Sequence, residues 1–399
     1  MLGIFPKFNS SSSSSSNIIP AALVTTGGTI GSSQANGSIN VVGGGKNLIG
    51  EDLARKLAAS DIRLQAKDSP YNILSENIDP NYVSKLAESL IKLIRQAKPE
   101  HIVVSHGTDS MNEVVNLLSR DTRFPLDLYA DKSKNAGLNS LISDLQDTIH
   151  QNKVSIVFTG ANTTETEEKE KNMSTAFLAA RQSPQLEEGL ETNYDAKSKL
   201  LPGIYIAFHD RLIRAETATK DVFNPEIGMR YADRESPSYR KRLADLEATD
   251  RELISQLNDG TIYLDSEKIK TGFAAKEQSA TVFEYEVNKI RENHDDFLQK
   301  IDQSPNLKAI LLVLYHSGTA NTNSDSEASV LKMIKDIKAK RPDIAIYAVN
   351  ENPGEPVSLS ETSYAGASDL KKAGLIPLGT MHRSIALAKL QMGLPVDEF

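Results

Sequence analysis

The chain has 399 residues, 39% hydrophobic and 25% charged, enough to bury a large core and to divide into two domains. Its net charge of −8 argues against the concentrated basic face of a nucleic-acid-binding protein. With no cysteine, disulfides, thiolate nucleophiles and Cys-bound metals are excluded, and seven scattered histidines without ligand spacing give no reason to expect a metal site.

The first residues read "MLGIFPKFNSSSSSSSNIIP". Pro6, Lys7 and the serine run break any apolar leader, so residues 1–17 are expected to be a disordered Ser-rich tail rather than a secretory signal. No later stretch has the unbroken apolar length of a membrane helix, and the expected compartment is the cytoplasm. From residue 18 onward the pattern alternates. "IIPAALVTT" is a buried strand ending at the tight turn "GGTIG". "EDLARKLAAS" and "NYVSKLAESLIKLIRQA" carry apolar residues at the three- and four-residue spacing of amphipathic helices. "HIVVSHG", "KVSIVFTGA" and "GIYIAFHD" are further apolar runs that end in small or polar residues, with helical patterns such as "MSTAFLAARQ" between them. The alternation predicts an α/β fold: a larger N-terminal domain over residues 18–235 around a parallel sheet, with ligands beyond the carboxyl ends of the strands. Residues 236–304 are charged and helix-prone, as expected of a linker with a charged helical insertion. Residues 305–399 alternate again as strand, helix, strand, helix and helix, which predicts a smaller C-terminal α/β domain.

Two strand ends carry candidate chemistry. In "TTGGTI" two glycines allow a sharp turn and close approach to a ligand, leaving the Thr29 hydroxyl on a loop. The loop lacks the lysine and spacing of a phosphate-binding P-loop. In "VVSHGTDSMNE", Val103 to Glu113, Ser110 and Glu113 fit a helix capping box. Capping leaves Thr108 and Asp109 unexplained, facing the positive end of the helix. Each loop alone is also readable as a plain turn.

Taken together, "TTGGTI" and, about eighty residues later, "SHGTDSMNE" resemble the two signature loops of the L-asparaginase/glutaminase family. "NILSEN" resembles the family's substrate-clamping loop, especially that of amidotransferase members acting on glutamyl-tRNA. "VFTGA" is similar to its third strand end, "AETATKDVFNP" to the segment bearing its lysine, and "SYAGASDLKKAGLIPLGTMHRSIALAKLQMGL" to its carboxyl-terminal pattern. The resemblance implies an asparaginase-like fold and amide hydrolysis through a threonine acyl-enzyme. Thr29 would be the attacking hydroxyl. Thr108, Asp109 and Lys220 would form a second hydroxyl–carboxylate–amine set, with the Lys220 pKa lowered by burial so that it can accept a proton near neutrality. Gly28 and Gly107 would let the backbone approach the substrate. Asp109 and Glu76 would hold its α-amino group, and Ser75 its α-carboxylate.

Read without the resemblance, Ser75 is a turn hydroxyl, Glu76 a solvated carboxylate, Lys220 an exposed cation and Asp109 a helix-terminal anion. Two departures stand out. The lid segment "SSQANGSINVVGGGKN" has no tyrosine, and "NTTETEEKEKN" replaces the family's usual continuation after "TGA". Three readings are open: an L-asparaginase, a glutamine-dependent amidotransferase-type glutaminase subunit, and a catalytically inactive relative that binds an amino acid. The implied partners are a small amino-acid substrate and further copies of the chain, as a homodimer or homotetramer with sites at subunit interfaces. Nucleic acid, membrane, cofactor and metal are not implied. Glu355, Glu361 and the loop His316 to Asn323 are the candidates for a residue lent to a neighbouring subunit.

Overall fold

The computed structural model describes residues 3–4, 18–28, 30, 32–35, 38–41, 49–119, 132–162, 166–181, 199–209, 211–221, 230–258, 281–287, 294–315, 318–351, 357, 365–393 and 396. These form two compact units, the first drawn mainly from residues up to 234 and the second mainly from 235 onward. Among the described residues no helix is long and apolar enough to cross a membrane.

The first unit holds β1 (Gly3–Ile4), β2 (Ile19–Thr25), β3 (Ser32–Ala35), β4 (Ser38–Val41), α1 (Glu51–Ala59), β5 (Ile62–Asp68), α2 (Pro80–Ala97) and β6 (His101–Ser105). It continues with α3 (Met111–Ser119), α4 (Lys132–Asn152), β7 (Ser155–Thr159), α5 (Thr166–Leu178), β8 (Gly203–Phe208), β9 (Arg211–Arg214), β10 (Ala218–Asp221) and β11 (Arg230–Asp233). Its seven-stranded sheet runs in the order β1-β5-β2-β6-β7-β8-β9. The five inner strands are parallel and the two edge strands antiparallel. Strands buried on both faces explain the near-continuous apolar runs: every residue of β6 and of β7 is buried. One face packs Leu53 and Leu57 of α1 and Met173 and Phe177 of α5 against Leu23, Val103 and Val157.

The chain leaves β2 for β5 on one side and returns through α2 to β6 on the other. That reversal makes a crevice at the carboxyl ends of β2 and β6, where open α/β sheets bind ligands. Both candidate loops follow those two strands.

The second unit holds α6 (Pro237–Asn258), β12 (Thr281–Glu286), α7 (His294–Asp302), β13 (Leu307–Leu314), α8 (Val330–Lys340), β14 (Ala345–Asn350), α9 (Ala365–Lys372), β15 (Ile376–Pro377) and α10 (Arg383–Gln391). Its sheet is β12-β13-β14-β15, all parallel. The segment 236–304 is therefore more than a helical insertion. "TVFEYE" within it is an edge strand of this sheet, and Leu257 of α6 packs into the core with Leu311 and Ile385. Glutamates at alternate positions of that strand gave it a helix-prone look. Arg383 answers them, pairing with Glu284 at 2.5 Å and with Glu286. A short strand, β15, also separates the last two helices.

Candidate active site

Two glycines bring the first loop to its neighbours. Gly27 (φ 98°) and Gly28 (φ 73°) both lie in the left-handed region that favours glycine. Gly28 N–H donates to the Ile73 carbonyl at 2.8 Å, and Ile73 N–H donates to the Thr26 carbonyl at 3.1 Å. Thr26 in turn donates its N–H (3.1 Å) and its hydroxyl (2.9 Å) to the Ser105 carbonyl at the end of β6. A Cβ on Gly28 would fall 2.3 Å from Gly107 Cα, and one on Gly107 would fall 2.3 Å from Ser75 Oγ. The loops after β2, β5 and β6 thus meet at van der Waals distance through their glycines.

Ser75 opens a 3-10 turn, Ser75–Asn77, and is buried. Its hydroxyl accepts from Asp109 N–H at 3.3 Å, and its carbonyl accepts from the Ser110 hydroxyl at 2.7 Å. Ser110, read from sequence as a cap, therefore also ties its helix start to a segment 35 residues away.

Lys220, on β10, is not a solvated cation. Its Nζ lies 2.9 Å from Asp109 Oδ1, with side-chain exposures of 6% and 8%. Each charge offsets the cost of burying the other, and loss of one partner would leave an uncompensated buried ion. Glu76 is equally buried, so the solvated-carboxylate reading does not describe it. Burial and the neighbouring Asp109 carboxylate push its carboxyl up to about 8, with Lys220 offsetting them in part. When Glu76 ionises, two carboxylates face the one Lys220 ammonium, and a cationic ligand would supply the balancing charge.

A third wall comes from the end of β7. A Cβ on Gly160 would fall 2.6 Å from the His106 carbonyl oxygen and 3.0 Å from Thr108 Cγ2. Asn172, fully buried on α5, donates from Nδ2 to the Gly160 carbonyl at 2.8 Å and accepts from His209 N–H at 2.9 Å through Oδ1. The acidic stretch after "TGA" thus ends in a helix that braces the wall beside Thr108. Neither Asn172 nor His106, whose Nδ1 bonds the Gly107 carbonyl at 2.7 Å, was singled out from sequence. For Asn172 one signal existed: it shares the buried helical stripe of Met173, Ala176 and Phe177.

The structure therefore brings Gly28, Ser75, Glu76, Gly107, Thr108, Asp109 and Lys220 into one region of the first unit. Thr29, His316, Glu355, Glu361 and half of the lid segment lie outside the described residues. In the second unit, Thr319 and Asn321 of the "HSGTANTN" loop are buried. Among the described residues no group of three or more histidines and carboxylates could hold a metal ion. A separate cavity of about 650 Å³ opens at the amino-terminal ends of β6 and β7, lined by His101, Lys153, Ser155 and Lys199, at the far end of the strands from this cluster.

A parallel sheet with a glycine-built crevice and a buried Lys–Asp pair defines an α/β protein with an enzyme-like site. Over residues 21–123 the chain matches the family model described as Asparaginase, N-terminal, and its resemblance to the L-asparaginase family holds there. No curated protein matches the chain. Solved structures align over most of both chains at low similarity. The thermostable L-asparaginase from Thermococcus kodakarensis is 15% identical with a TM-score of 0.33, covering 94% of this chain and 92% of that one. The probable cytoplasmic L-asparaginase from Campylobacter jejuni is 16% identical with a TM-score of 0.37, covering 94% of each. L-asparaginase I from Vibrio cholerae is 15% identical with a TM-score of 0.37, covering 94% and 92%. At such scores these likenesses carry no weight, and the fold stands on the strand order and pairing above.

Proposed function

We propose that this protein is an asparaginase-type amidohydrolase that converts L-asparagine to L-aspartate and ammonia. The observation that carries the reading is the buried Lys220–Asp109 pair, set where the glycine turn after β2 meets the loop after β6. An exposed turn and an ordinary helix cap require no such pair.

In this mechanism the Thr29 hydroxyl attacks the side-chain carbonyl carbon. The C–N bond breaks, the leaving amine takes a proton and departs as ammonia, and water then hydrolyses the threonine ester to release aspartate and restore the hydroxyl. Thr108 and Lys220 move the protons, and Asp109 orients Lys220. The charge deficit around Glu76 and Asp109 fits the α-ammonium group of an amino acid. Ser75 offers its hydroxyl to the α-carboxylate. The site is completed in a homodimer or homotetramer.

The test is ammonia release from L-asparagine, L-glutamine and buffer alone. Turnover of asparagine above buffer, abolished in Thr29→Ala, is expected. Lys220→Met should lower kcat by about 10²–10⁴-fold while leaving substrate binding largely intact. Absence of ammonia from both amides, or unchanged turnover in Thr29→Ala, would overturn the reading. Light scattering that showed a fully active monomer would remove the shared site.

A further inference from the structure

We propose that His106 is a positioning residue of this site: as the neutral tautomer protonated on Nδ1, it holds the Gly107 carbonyl and so fixes how Thr108 faces the substrate. The proposal rests on the amidohydrolase reading.

His106 is fully buried, with its ring tilted on Phe158 at a centroid distance of 6.1 Å. A backbone carbonyl can only accept, so the 2.7 Å contact from Nδ1 to the Gly107 oxygen requires the proton on Nδ1. A neutral ring then leaves a bare lone pair on Nε2, and Nε2 has no hydrogen-bond partner among the described residues. An unpaired buried acceptor is tolerated better than an unpaired donor, which favours the same tautomer. Burial also pushes the imidazole down to about 4, keeping it neutral across the working range of most enzymes.

The importance of the bond lies in the peptide it holds. Gly107 has no Cβ to restrict its peptide plane, and that plane leads directly to Thr108. The flanking backbone is held: His106 N–H donates to the Thr159 carbonyl at 2.8 Å, and Asp109 N–H donates to Ser75 Oγ at 3.3 Å. Between these anchors, the Nδ1–H bond is the side-chain contact that selects the orientation of the Gly107 carbonyl. A peptide turned the other way would displace the Thr108 hydroxyl by an ångström or more, a misplacement worth about 10²-fold in rate.

Two amide substitutions separate this role from core filling. His106→Asn puts a donor nitrogen near the position of Nδ1, whereas His106→Gln puts one near Nε2. The proposal expects His106→Asn to keep kcat for asparagine within about threefold and His106→Gln to lose about 10²-fold, with KM little changed in either. Imidazole nitrogen NMR of the intact wild-type chain reads the tautomer independently of activity, and Nδ1–H is expected at pH 7. An Nε2–H tautomer, a fully active His106→Gln, or an inactive but folded His106→Asn would overturn the proposal. A wild-type chain without amidase activity would instead sink the reading of function, and the NMR result would still decide the tautomer.

Discussion

With its carboxyl raised to about 8, Glu76 is protonated in the empty site at neutral pH, so an incoming ammonium must displace that proton. The KM for asparagine is therefore expected to fall as pH rises from 6 toward 8.5, and Glu76→Gln should flatten that dependence; initial rates across pH check it. Stability moves the opposite way. The folded-state pKa lies above the ordinary 4.5, so between about 4.5 and 8 the native state binds more protons than the unfolded one. Stability falls as pH rises through that window, and Glu76→Gln should remove this part of the slope in a Tm series. At Gly28, alanine would meet both a backbone contact at 2.3 Å and a positive φ. We expect a loss of about 1–3 kcal/mol in denaturant unfolding, together with most of the activity. The two glycine loops drew notice because strand, glycine turn and helix start leave a local pattern, and the roles of their hydroxyls came from the resemblance. Glu76, by contrast, draws notice only through the resemblance, and on its own it has the pattern of a solvated carboxylate. Asn172 and His106 act by bonding the backbone of other residues, which leaves little in the local pattern to find.

Helix α2 begins immediately after the turn that carries Ser75 and Glu76. Asp79 caps it, its carboxylate accepting from the N–H groups of Asn81 at 2.9 Å and Tyr82 at 3.2 Å, and Pro80 preorganises the first turn. Asp79→Ala should cost about 1 kcal/mol. Because the frayed end lies against the binding turn, it should also raise KM severalfold with little change in kcat, as steady-state kinetics would show. The helix itself was plain from its apolar spacing. Strand β12 was not: its partner strand, Leu307–Leu314, was readable, but the arginine that neutralises its glutamates lies 99 residues beyond Glu284. Local propensity cannot register so distant a counter-charge.

Across the whole molecule, His101 and His106 in the first unit and His294 in the second are buried, and burial pushes each down to about 4. In the unfolded chain they titrate near 6.5, so between about 6.5 and 4 the unfolded state binds more protons and stability falls with falling pH. A decline in Tm is expected to begin below pH 6.5 and to involve both units; calorimetry at pH 7.0, 5.5 and 4.5 tests it. An unchanged Tm down to pH 4.5 would contradict the burial of these rings. At this scale the class of fold was readable from alternating apolar runs, but the order of the strands was not. Periodicity marks where a strand lies and is silent on which neighbour it chooses, and the crevice between β2 and β6 depends on that choice.

The stitch between Gly28 and Ile73 is made wholly of main-chain atoms, so trimming a neighbouring side chain removes neither bond, whereas a Cβ at Gly27 would meet the Ile73 carbonyl at 2.3 Å. Residue 76, a short step further along, can therefore be exchanged on a frame that keeps its place. A variant library confined to position 76 should shift the choice among small amides, with Ser75 kept because its hydroxyl holds the Asp109 N–H.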